Sequence, residues 1–290
     1  MRNISEFTFL EWMKLVPLVH GFKQMRNDIN LRRYINISAS NESRFLENNK
    51  GLAGKNLLFA VAFEQPLTLE WLIRMSKIFL LDACIVVVDN SKRDQTRKEL
   101  SELCGRYEVP YLALPRNRTK HANRSHGMAL TWTYYRIINK LKPEIFGFID
   151  HDMIPVAPVS VEDRLGNQTF YGLKNQGETY AWGLWAGYCL YNYKKVSSCK
   201  LNFLYDFSRY LDTGGRNWSV LYKNVDFNQI RFADADIKEI AISDADGTCI
   251  QSVQYVDSAW VHIGGVGYND NFIPKKHFFE IFFDSYLTSS

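Results

Sequence analysis

The sequence has little net charge and no long apolar run, and each shortage narrows what the chain can be. Only 23% of its 290 residues are charged and the formal net charge is +4. The broad basic surface that drives phosphate-backbone binding is missing, so nucleic acid is not an expected partner. Five cysteines, Cys84, Cys104, Cys189, Cys199 and Cys249, form an odd set with no CxxC spacing. That pattern argues against a disulfide framework and a structural zinc site, and it fits a reducing compartment. No stretch reaches the roughly 18 to 20 consecutive apolar residues of a membrane-spanning helix; the nearest, IFLLDACIVVV, is short and carries Asp82. Glu6, Glu11 and Lys14 interrupt the only early apolar run, so no signal-peptide pattern is read there. The expectation is a soluble, cytoplasmic chain, and seven Asn-x-Ser/Thr sequons follow from its Asn-rich composition. Extensive disorder is excluded by 46% hydrophobic and 14% aromatic residues.

What is present divides the chain. Phe7, Leu10, Met13 and Val16 recur at helical spacing, and a polar, Asn-rich stretch from Asn27 to Lys50 follows. Residues 1–50 hold eight basic and five acidic residues, three of the chain's four net positive charges. Two readings stand for this extension: an amphipathic segment touching a membrane surface or partner, and a helical extension packed on the main domain. From Asn56 onward, short β-branched runs alternate with helical segments, the pattern of a parallel sheet with crossover helices. LLFAVAF, CIVVVDN, YLALP and IFGFID are the expected strands; Thr68–Leu81, Arg97–Tyr107 and Met128–Leu141 are the expected helices. After Pro155 the alternation loosens into strands near Thr169–Leu173 and Trp185–Tyr193, a helix around Leu201–Leu211 and a strand pair near Lys238–Val256. With no linker and no internal repeat, the expectation is an α/β protein with a 1–50 extension and one domain over 51–290, its halves 56–155 and 156–290.

Ligands of open α/β sheets bind beyond the carboxyl ends of the strands. Three such ends are polar: Phe63-Glu64-Gln65, Asp89-Asn90-Ser91 and Asp150-His151-Asp152. Each carboxylate alone can cap a turn; three on one edge point to a shared cleft. Asp150 and Asp152 flank one residue at a strand-to-loop corner, so both can face a divalent cation, magnesium or manganese, with ligand phosphates at its other positions. The segment PRNRTKHANRSHGMALTW places Arg116, Arg118, Lys120, His121, Arg124 and His126 just before a helix. It reads either as a solvated basic loop or as a seat for an anionic diphosphate.

The runs VVVDNSKRDQT and FIDHDMIP resemble the second-strand and DxD motifs of family 2 type, GT-A fold glycosyltransferases. The resemblance covers residues 56 to about 155 well, covers 156–270 loosely, and leaves 1–50 outside. It implies a GT-A fold and a metal-dependent hexosyltransferase using a nucleoside-diphosphate sugar, of the kind that serves polysaccharide biosynthesis. The acceptor would be a glycan or glycolipid. By the same likeness Asp89 binds the base or ribose, Phe63 lines the base pocket, Asn90 neighbours it, and Arg124 and His126 lie beside the donor. Asp150 and Asp152 would hold Mn2+ or Mg2+ on the diphosphate, and His262, in WVHIGG, resembles the late histidine that reaches metal or diphosphate. A buried histidine satisfied by backbone is the other reading of His262.

An inverting transferase needs a carboxylate to take the acceptor hydroxyl's proton. Asp212, in a turn after the expected helix, is the candidate, with Glu178 and Asp206 competing. Tyr180, Trp182 and Trp185 suit either sugar stacking or the core. ISDADGT matches the phosphatase-type DxDGT string at Asp244 and Asp246, but too little chain follows it for that fold, and Asp-Gly reads as a hairpin turn. The competing functions are a catalytically degenerate GT-A-like glycan-binding protein and a nucleotidylyltransferase. The latter usually needs a Gly-rich loop after its first strand, and FEQPLTLEW has no glycine.

Overall fold

The structure is a computed structural model that describes residues 6–177, 180–244, 247–267 and 272–288. Its N-terminal part is helical: α1 (Phe9–Met13), α2 (Val16–Ile35) and α3 (Glu42–Asn48). The alternating part follows as β1 (Leu57–Ala62), α4 (Pro66–Phe79), β2 (Cys84–Asp89), α5 (Asp94–Arg106), β3 (Tyr111–Ala113), α6 (Ala122–Thr133), α7 (Asn139–Leu141) and β4 (Ile145–Asp150). A π turn over Tyr134–Ile138 joins α6 to α7. The second half contains β5 (Met153–Pro155), α8 (Val161–Leu165), β6 (Phe170–Gln176), β7 (Trp182–Asn192), α9 (Tyr193–Val196), β8 (Ala235–Asp244), β9 (Gly247–Val256), β10 (Trp260–His262) and α10 (Ile273–Thr288).

Six strands form the central sheet in the order β3-β2-β1-β4-β7-β6. β3, β2, β1 and β4 are mutually parallel, and β7 and β6 add antiparallel. The expected α/β architecture with a mostly parallel sheet and an N-terminal helical extension is therefore present. Both faces of this sheet are covered, which is why its first strands read as unbroken apolar runs. In β1, Leu58 and Ala60 join one core with Leu72, Ile149, Trp260 and Phe279. Leu57 and Phe59 join the other with Val86, Trp132, Phe146 and Phe148.

A second, antiparallel sheet, β5-β10-β9-β8, begins two residues after β4 ends. Asp150, His151 and Asp152 thus span the seam between the two sheets, and β10 brings His262 opposite Met153. α10, not foreseen in the sequence, buries Phe278, Phe279, Phe282 and Phe283, with Phe283 5.1 Å from Trp71 of α4.

Two expectations are corrected. Leu201–Leu211 is not a helix; only Phe207–Arg209 turns, as a 3-10 segment, and Asp206 bridges Leu211. Tertiary partners take the backbone there: Phe203 N donates to Thr131 Oγ1 at 3.0 Å and Asn202 N to Asn217 Oδ1 at 2.7 Å. Asp206 accepts from Ser208 N at 3.0 Å, a local bond that competes with helix. The helix expected from Met128 begins instead at Ala122, its N-terminus capped by His121, whose ring accepts from Arg124 N. At ISDADGT, β8 and β9 pair antiparallel through Asp244 and Gly247, as the hairpin reading requires; Asp246 lies outside the described residues.

Candidate active site

A cavity of about 310 Å3 opens at the carboxyl ends of β1, β2 and β4, lined among others by Phe63, Asn90, His126, Asp150, Asp152 and His262. Its lower rim is built from the seam. Asp152 is buried, its carbonyl accepts from Ile263 N at 3.1 Å and its Oδ2 from Gly264 N at 3.2 Å. These bonds clamp the DHD corner to the turn after β10. Asp150, Asp152 and His262 each offer a ligand atom within 4.8 Å of the others, and His262 Nε2 lies 3.8 Å from Asp152 Oδ2.

The imidazole of His262 is oriented. Its Nδ1 meets Gln254 Oε1 at 2.7 Å, an acceptor that favours the hydrogen on Nδ1 and leaves Nε2 on the side of Asp152. That is the tautomer a metal-binding histidine needs. The Trp185 ring packs edge-on against it at 4.8 Å. Burial and the neighbouring Asp152 charge push Asp150 up to about 6, a carboxylate short of positive charge.

On the opposite wall, helical phase decides which basic residues reach the cavity. Ala122, Ser125 and His126 share one face of α6 and line it. Arg124, expected beside the donor, is on another face, with Nε 3.5 Å from Tyr205 OH, and does not line the cavity. His126 Nε2 is 3.5 Å from Asp150 Oδ1. Burial lowers the imidazole to about 4, so this is a contact with a neutral ring, not an ion pair. Arg116 is turned to Asp94 and the Ser91 and Lys92 carbonyls. Among the described residues the lysines lining the cavity are Lys120 and Lys92, the latter 5.9 Å above the Phe63 ring.

Asp89, expected to meet the base or ribose, is fully buried and does not line the cavity. Its oxygens accept from Ser91 N at 2.7 Å and Tyr111 OH at 2.6 Å. It orders the turn that presents Asn90. Glu64 is structural in the same way: its carboxylate accepts from Lys92 N, Arg93 N, Arg93 Nε and Thr96 Oγ1 at the start of α5. Those four bonds accompany a left-handed backbone at Glu64, φ 58°.

Asp212 follows the irregular segment and is exposed, outside the cavity lining. Asn123 Nδ2 of α6 donates to its Oδ1 at 2.6 Å, and its charge is felt by both His126 and Asp150. Asp206 is consumed by a buried pair with Arg209 at 2.8 Å; Glu178 lies outside the described residues. Among the expected aromatics, Trp182 is core, stacked on Tyr222 at 5.0 Å. Tyr180 is exposed, and Trp185 alone abuts His262. Sequence reasoning did not assign His151, Lys92 or the Gly265–Gly267 turn to the cavity. The signal for His151 was its place between the two aspartates.

Three buried polar atoms at this cavity find no hydrogen-bond partner among the described residues: Asn90 Oδ1, His126 Nε2 and His151 Nε2. Buried polar groups are normally paired. Two hard carboxylates and one borderline imidazole leave room for further oxygen ligands, so the residues fit a divalent cation carrying an anionic ligand.

No protein-family model and no curated protein matches the sequence. Solved structures similar to the chain include glycosyltransferases. The mannosyltransferase PcManGT from Pyrobaculum calidifontis, in complex with GDP-Man and Mn2+, is 11% identical over 62% of this chain and 57% of its own, with a TM-score of 0.37. WbbM, a bifunctional glycosyltransferase in its apo form, is 15% identical over 50% of this chain and 32% of its own, TM-score 0.34. GlyE from Streptococcus pneumoniae TIGR4 is 13% identical over 50% and 36%, TM-score 0.32. The match thus spans less than two thirds of each of these proteins, and likenesses this partial carry no weight for function.

Proposed function

We propose that the chain is a metal-dependent glycosyltransferase of GT-A type, moving a sugar from a nucleoside diphosphate to a hydroxyl of a glycan or glycolipid. The observation that carries this reading is the convergence of Asp150, Asp152 and His262 within 4.8 Å in the cavity at the carboxyl ends of parallel strands. Asp150, Asp152 and the Nε2 of His262 would hold Mn2+ or Mg2+, which when bound supplies Lewis-acid stabilisation of the departing diphosphate. Lys120 and Lys92 add positive charge at the same wall, and His126 stays neutral near pH 7, free to hydrogen-bond a phosphate oxygen. Phe63, with Lys92 above it, offers a face for the base, and Asn90 a free carbonyl oxygen for the nucleoside. Asp212, held by Asn123, is the proposed base for the acceptor hydroxyl.

The test is calorimetry and thermal shift with uridine, guanosine, cytidine and thymidine diphosphates, each with and without Mn2+. Stabilisation by one nucleotide that requires Mn2+ and disappears in Asp152→Ala supports the reading. Undiminished metal-dependent binding and turnover by Asp152→Ala would overturn the metal assignment.

A further inference from the structure

Helix α2 presents the wrong face to water for an ordinary surface helix. A helix packed on a soluble domain turns its apolar stripe inward and its polar side chains out. In α2 the buried positions are Gln24, Asn27, Leu31 and Tyr34; Leu31 joins the core, and polar bonds hold the other three. Asn27 donates to Tyr205 OH at 3.0 Å, Tyr34 OH donates to the Pro115 carbonyl at 2.9 Å, and Arg216 pairs with Asp28 at 2.8 Å. With its amide oxygen turned to the same guanidinium, Gln24 accepts from Arg216 at 2.7 Å. The outward stripe is Leu18, Phe22, Met25 and Ile29, one helix face by spacing, and Phe22 is 67% exposed. α1 adds Phe9, Leu10 and Met13, exposed by 78%, 66% and 67%. A groove of about 720 Å3 is lined by Leu18, Phe22, Met25 and Ile29 of this stripe together with Phe7 and Trp12, so these apolar side chains are clustered rather than scattered.

Charge decides what covers this surface. Lys14, Lys23, Arg26, Arg32 and Arg33 are exposed on or beside the same helices, and Lys23 reaches over the Phe207 ring. The acids there turn toward the rest of the chain: Asp28 to Arg216, and Glu11 to Tyr210 OH at 3.3 Å. A second copy docked through the same face would set cations against cations. Exposed apolar side chains flanked by arginine and lysine match a bilayer surface with anionic headgroups. We propose that α1 and α2 seat the protein on an anionic lipid surface, with Phe9, Leu10, Met13, Leu18, Phe22 and Met25 in the headgroup boundary and the basic residues on the phosphates. The long basic stems lie along the apolar layer while their charges stay in water. No helix among the described residues is long and apolar enough to cross a membrane. α2 packs against α6, whose first turns line the cavity, so the seat is one helix away from the candidate site. The inference goes beyond the transfer reaction and does not depend on it.

The experiment is sedimentation of the full chain with vesicles of phosphatidylcholine alone and of phosphatidylcholine mixed with phosphatidylglycerol, at low and high salt. Binding is expected to the mixed vesicles at low salt, about tenfold weaker to the neutral ones or at high salt. Phe22→Asp/Met25→Asp should lose it with an unchanged Tm, since both side chains are exposed. Arg26→Glu/Arg33→Glu should lose the preference for anionic lipid. Three results overturn the proposal: no sedimentation with mixed vesicles at low salt, equal binding by Phe22→Asp/Met25→Asp, or a dimer by light scattering that this double variant splits.

Discussion

The side-chain oxygen of Gln254 lies 2.7 Å from Nδ1 of His262, and this contact aims Nε2 at Asp152. Partners of this kind fix the tautomer and basicity of a ligating imidazole. Gln254→Leu should therefore weaken Mn2+ binding by about 10- to 100-fold while leaving the fold intact, because Gln254 is only half-buried. Calorimetric titration of the metal, with His262→Ala as the reference, checks this; an unchanged affinity would remove the orienting role.

Asp150 makes the metal-free protein pH-sensitive in a stated direction. Its value is raised to about 6 by burial and by Asp152, so its proton is held more tightly in the folded chain than in the unfolded one. The penalty of the ionised form is fully present above about 6, falls as the pH drops through that value, and is gone below the ordinary carboxylate range near 4. Asp150→Asn should therefore stabilise the metal-free protein at pH 7.5 by on the order of 1 kcal/mol, about 2 °C in Tm for a chain of this size. The gain should shrink toward pH 4.5, and the variant should show no Mn2+-dependent thermal shift. A variant less stable than the parent at pH 7.5 contradicts the argument.

Asp212 can be separated from the metal centre because it is exposed and outside the cavity lining. Asp212→Asn should keep metal-dependent nucleotide binding and lose turnover by about 10²- to 10⁴-fold, the usual weight of a general base. Asn123→Ala, which frees the carboxylate, should lose less. Turnover within a factor of a few of the parent would take the base role from Asp212.

Gly187 lies beneath Asp150. A Cβ there would stand 2.6 Å from Asp150 Oδ2 and collide with the Trp185 ring. Gly187→Ala should cost about 1–3 kcal/mol of stability by overpacking and also reduce Mn2+ affinity, because the displaced group is a proposed ligand. Thermal melts with and without Mn2+ distinguish the two effects; full affinity at lowered Tm would confine the glycine to a packing role.

Where the chain alternates short apolar runs with amphipathic helices, the architecture was legible. β1, β2 and β4 are buried on both faces and so read as continuous apolar segments ending in polar residues. That same logic located Asp150, Asp152, Asn90 and Phe63 at one sheet edge. It failed where a tertiary partner replaced a local one. LNFLYDFSRYL has helix-like apolar content, yet Thr131 and Asn217 take its backbone donors. Arg124 and His126 are two residues apart and equally basic in appearance, and only the earlier start of α6 puts one in the cavity and the other outside it.

The α/β class, the polar strand ends and the proximity of Asp150 to Asp152 were set by periodicity and by neighbours along the chain. It took the folded chain to show that Asp89 and Glu64 serve the turns, that His262 returns beside Asp152 with Gln254 behind it, and that α2 turns its apolar stripe outward. Those facts depend on which groups satisfy buried donors and acceptors across long separations, and a one-dimensional pattern does not record that pairing.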